Sequence, residues 1–118
     1  MSHFLRGEIA TRMSSAAIDR LLQTAVARKA TELYLTAGEP PVLRVARRLK
    51  RLKAKPLDAE AVAAIVADIL PRQSREEFEQ ELEETGRTEF VYAFGKQTWS
   101  HVLVAKESGI VAIAFSLR

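Results

Sequence analysis

The chain has 118 residues, 47% of them hydrophobic, enough for one domain with its own core and too apolar for a disordered segment. Eighteen basic residues against fifteen acidic ones give a charge of +3, too small by itself to imply nucleic acid, and the absence of cysteine excludes disulfides and thiolate metal sites. No apolar run approaches the ~20 residues of a membrane helix or forms the core of a signal peptide, so a cytoplasmic location is the expectation.

In chain order, residues 1–13 show no periodicity and read as an N-terminal arm, and residues 14–118 read as one domain. Ser14 or Ser15 suits a helix N-cap. Ile18, Leu21, Leu22, Ala25 and Val26 then form one apolar stripe, and Arg28 and Lys29 suit the helix end. Leu33 and Leu35 alternate with Glu32, Tyr34 and Thr36, the period of a half-buried strand. Gly38 and Pro40-Pro41 turn the chain, and Val42, Leu43 and Val45 resume the extended pattern. A third strand is expected from Leu49 to Lys53. Asp58 announces a second helix, with Val62, Ile65, Val66, Ile69 and Leu70 on its apolar stripe and Pro71 at its end. Ser74-Arg75-Glu76-Glu77 reads as a capping box opening a short helix that is buried through Phe78 and Leu82 and stops near Gly86. The remainder is strand. Phe90, Tyr92 and Phe94 alternate, Gly95-Lys96 turns, Trp99 to Val104 alternate, Ser108-Gly109 turns, and Val111 to Leu117 close the sheet. Short connections between strands imply an α+β domain: an antiparallel sheet of about six strands with helices on one face.

Catalytic patterns are missing from this string. A phosphate-binding loop needs G-x-x-x-x-G-K-[ST]; Gly95 precedes Lys96, but Phe90 and Gln97 occupy the other required positions. His3 and His101 lie far apart, outside any metal-ligand spacing. Ser100 and His101 are neighbours on a strand and point to opposite faces, which is wrong for a nucleophile and its base. No catalytic residue, metal or cofactor is expected. Trp99, Tyr92, Phe90 and Phe94 supply core anchors, or alternatively an aromatic cleft for a small ligand.

Charge is the remaining signal. Arg44, Arg47, Arg48, Lys50, Arg51, Lys53 and Lys55 fall within twelve residues, and Glu76, Glu77, Glu79, Glu81, Glu83 and Glu84 within nine. Two solvated faces, one guarding an edge strand, are the plain reading. The other is a partner surface, for which Arg44, Arg47, Arg48, Lys50, Arg51 and Lys53 are the candidate residues. Nucleic acid is the disfavoured partner, because no aromatic platform accompanies the run. The opposite signs also permit association with a second copy.

The string Leu33-x-Leu35-x-x-Gly38-x-Pro40-Pro41-x-x-Arg44-Val45 resembles the N-terminal domain of the PilT/GspE-type secretion and twitching-motility ATPases, and the similarity extends over residues 17–117. It implies a PAS-like fold that in the family leads into a RecA-like ATPase domain of hexameric motors. Glu32 and Tyr34 stand where the family has Asp and His, and Ala46-Arg47 stands in place of its Asp-Gly turn. Thr98, Trp99, Ser100 and Phe115 occupy positions of an R-F-R motif and a later arginine that the family uses around nucleotide; Arg44 alone of that set matches. The resemblance thus implies a non-catalytic interaction module, an adaptor or regulator of a pilus, gliding or secretion motor, whose protein partner is a motor ATPase or a second copy. A fragment of a longer motor ATPase and a PAS-like small-molecule sensor are the alternatives.

Overall fold

In the computed structural model, which describes residues 15–95 and 98–117, Leu33 and Leu35 are fully buried while Glu32, Tyr34 and Thr36 are half-exposed. That alternation makes Glu32–Thr36 a strand, β1, with one face toward the core. The full order is α1 (Ser15–Ala27), β1, β2 (Val42–Val45), β3 (Arg48–Arg51), α2 (Ala59–Ile69), α3 (Arg75–Thr85), β4 (Arg87–Ala93), β5 (Trp99–Glu107) and β6 (Ile110–Ser116). The strands form one antiparallel sheet ordered β3-β2-β1-β6-β5-β4, so β3 and β4 are its edges. This is the α+β architecture expected. The arm, the cap at Ser14 and the turn residue Lys96 lie outside the described residues.

One face of the sheet carries the core. Leu33 lies between Leu43 and Phe115, and Val102 lies between Phe115 and Phe90. Ile18 and Leu22 of α1 and Val62 and Ile65 of α2 are buried with them. Val26 departs from the expected stripe and is 42% exposed. It lies in the last turn, where the chain leaves the helix: Lys29 takes φ 62°, and the Ala30 amide bonds back to the Ala25 carbonyl at 2.9 Å.

The helix caps differ. Asp58 is extended, and its carboxylate accepts from the Ala61 amide at 2.7 Å. Ser74 makes no side-chain cap bond, so the expected capping box is absent; its backbone, at φ −122° and ψ 29°, lies outside the β region that aims a capping hydroxyl at the first turn. Nor is α3 fully buried at any position. Phe78 and Leu82 pack half-buried against the core, with Phe78 edge-on to Phe90 at 5.6 Å between centroids. Gly86 ends the helix at φ 80°.

β3 begins one residue earlier than expected and stops at Arg51. A two-residue turn, Ala46-Arg47, pairs Arg48 directly with Val45. At the far end Leu52 donates to the Pro41 carbonyl at 2.9 Å, and Pro41 has no amide to return.

Candidate interaction surface

The basic run maps to the β2–β3 hairpin and the segment after it, at one edge of the sheet. Alternation divides its side chains. Leu43 faces the core, so its neighbour Arg44 faces the uncovered side of the sheet, together with its cross-strand partner Leu49. All four residues of β3 are exposed, Leu49 at 60%.

Two of the six candidate cations hold local carboxylates. The Arg44 guanidinium donates to Glu32 at 2.9 Å and lies 5.9 Å from the centre of the Tyr34 ring. The Tyr34 hydroxyl also donates to Glu32, so one carboxylate ties β1 to β2. Partial burial and that hydrogen bond push the Tyr34 phenol above its ordinary range, and the bond with Tyr34 raises Arg44 further. Arg51 pairs with Glu39 at 3.2 Å. Arg47, Arg48, Lys50 and Lys53 are exposed and make no ion pair among the described residues. The acidic run forms α3, which packs on β4 and β5 at the opposite end of the sheet. There Glu81 accepts from the buried Thr88 hydroxyl at 2.6 Å, and Glu83 pairs with Lys106.

The other sequence candidates disperse. His101 lies on the uncovered face, exposed and 3.3 Å from Glu89. Ser100 is buried and donates to the Ser116 carbonyl at 2.9 Å, a structural role. Among the described residues no three His, Cys, Asp or Glu side chains converge as metal ligands. The aromatic cleft does not form. Tyr92 pairs with Ser100 on the covered face, whereas Trp99 pairs with Ala93 on the other and is 65% exposed. Phe94 is buried, and the Tyr92 hydroxyl donates to Asp19 at 2.5 Å. A groove of about 280 Å³ exists elsewhere, between α2 and α3, lined by Val66, Leu70, Leu82 and Val111 with Glu83 and Lys106 at its side. It was not legible in the sequence, because its walls come from four separate elements.

No family model matches the chain. Over 66 residues, 56% of its length, it is 36% identical to the type IV pilus retractation ATPase PilT of Pseudomonas aeruginosa, 19% of which is matched. The fold is similar to the crystal structure of the pilus retraction motor PilT with bound ADP, with a TM-score of 0.71 and 25% identity over 84% of this chain and 28% of that one. It is also similar to the ATPase DotB of Legionella pneumophila (TM-score 0.73, 18% identity, 90% of this chain and 30% of that one). DotB of Yersinia pseudotuberculosis gives a TM-score of 0.71 at 15% identity, over 91% of this chain and 31% of that one. The chain is homologous to part of PilT and spans under a third of each of these proteins. No described helix is long and apolar enough to cross a membrane.

Proposed function

We propose that this chain is an accessory domain of a PilT-like motor ATPase, working by protein contact and not by nucleotide turnover. The observation that carries the reading is the match to PilT, which covers 84% of this chain but 28% of that motor. The sequence itself contains no phosphate-binding loop. A domain of this kind supplies a surface to the motor, and the same surface would serve an adaptor or regulator built on it. We assign the contact to the β2–β3 hairpin. Arg47, Arg48, Lys50 and Lys53 carry its outward charge, while Arg44 and Arg51 shape it through Glu32 and Glu39. The partner it fits is a motor subunit with an acidic face.

The test is charge reversal of Arg47, Arg48 and Lys50 to Glu, leaving the Arg51–Glu39 pair in place. Folding should be nearly unchanged, since exposed charges contribute little to stability. Association with the PilT-type ATPase of the source organism should weaken, mainly through a slower on-rate at low salt, because such charges act by steering. Unchanged binding at low and high salt by a folded variant would return the hairpin to the role of a guarded edge.

A further inference from the structure

The two edges of the sheet are finished differently. β3 is four residues long and carries Arg48, Lys50 and Arg51, a pattern that discourages pairing with another strand. β4 runs for seven residues, Arg87–Ala93, with no lysine and no proline. Its even-numbered residues bond to β5. The register pairs Phe90 with Val102 and Tyr92 with Ser100, and the same alternation continues in the Phe94 amide on the Thr98 carbonyl at 2.9 Å and the Lys106 amide on the Gly86 carbonyl at 2.8 Å. The odd-numbered residues therefore direct their N–H and C=O past the edge. At Arg87 the amide is already taken, donating to the Thr85 hydroxyl at 3.2 Å, while the one proton of that hydroxyl lies between the Glu81 carbonyl at 2.8 Å and the Arg87 carbonyl at 2.9 Å. Among the described residues no other element pairs with this edge, and Glu89, Val91 and Ala93 remain. Val91 is 58% exposed and Trp99, beside Ala93 on the same face, is 65% exposed, an apolar patch at an open edge.

We propose that β4 is a dimerisation strand, along which a second copy of this chain pairs antiparallel about a two-fold axis at Val91. The register follows from the open groups. With Val91 opposite Val91, each Glu89 lies opposite Ala93, so all three open residues exchange bonds and no like charges face each other. Moving the axis toward Glu89 would call on Arg87, whose amide Thr85 holds, and at Glu89 itself would oppose two carboxylates. On the covered face the chosen register sets Phe90 opposite Tyr92, an aromatic cross-strand pair. Thr88, bonded to Glu81 of α3, comes opposite residue 94 of the second copy, so the two Thr88–Glu81 pairs stand ~20 Å apart along the strands, whereas Phe78, packed on Phe90, brings the N-terminal part of each α3 nearer the axis. The partner is a second copy, because the open row is self-complementary in this one register. The surface is independent of the β2–β3 hairpin.

Two substitutions test it in the full chain. Val91→Lys places two ammonium groups at the axis, and Val91→Pro deletes an outward amide while sparing every β4–β5 bond. In sedimentation equilibrium through the micromolar range, the wild type should run as a dimer. Both variants should run at half that mass with an unchanged circular dichroism spectrum, and Val26→Lys on α1 should stay dimeric. If Val91→Pro fails to fold, Val91→Lys decides. A monomeric wild type, or a folded Val91→Lys dimer, overturns the proposal. So does a dimer lost on reversal of Arg48 but kept in Val91→Lys.

Discussion

At Tyr92 the phenol is held between two helices' carboxylates: its hydroxyl donates to Asp19 at 2.5 Å, and the charge of Asp68 adds to that of Asp19. Burial first, then the hydrogen bond and these charges, raise its pKa above the ordinary value of 10.0. The neutral phenol therefore stabilises the fold below that value. The contribution is lost as pH rises, because the unfolded chain ionises first. Urea unfolding of wild type and Tyr92→Phe at neutral and strongly alkaline pH checks this: the wild type should lose more stability on the alkaline side than the variant. Equal losses would mean Tyr92 ionises alike in both states. Tyr92 and Trp99 also show what a strand pattern cannot give. Alternation fixes which residues of one strand share a face, but the segment joining β4 to β5 sets Trp99 against Ala93 and so sends it outward. A loop one residue different would have reversed that side chain.

The β2–β3 hairpin presents the same issue at the level of an element. Ala46 at φ 51° and Arg47 at φ 68° both occupy the left-handed region, the geometry of a two-residue type I′ turn without its usual Asn-Gly. Each such residue costs about 1–2 kcal/mol when it carries a Cβ. Replacing Ala46-Arg47 with Asn-Gly should raise stability by ~1–2 kcal/mol, read as a higher urea midpoint at an unchanged slope; no gain would show that the turn relaxes at no cost. The order of strands and helices was legible from hydrophobic period and turn residues, and so was the Asp58 cap. Ser74 was misleading because a capping sequence needs a capping backbone angle, which the preceding loop decides. The cations of the candidate surface were legible as a run. Which of them are already engaged was not, since Glu32 and Glu39 reach them from β1 and the turn after it.

Across the whole molecule, the two charge runs separated by some twenty residues in sequence come to lie at opposite ends of the sheet, five strand spacings or ~24 Å apart. The sequence shows both runs but not this separation, which comes from β6 pairing with β1 in the middle. The acidic end is also the more lightly held. Four residues of α2 are buried and none of α3, which rests on half-buried Phe78 and Leu82. Such a helix can lift while the sheet stays intact, because few apolar contacts are lost. Native-state hydrogen exchange in mild urea should then find α3 amides opening at a lower free energy, and with a weaker urea dependence, than those of α2 and β1. If all three exchange at one common free energy, the helix opens only with the whole fold. Each such lifting of α3 would uncover the ring of Phe90, and this domain would then offer solvent a core residue that its resting surface conceals.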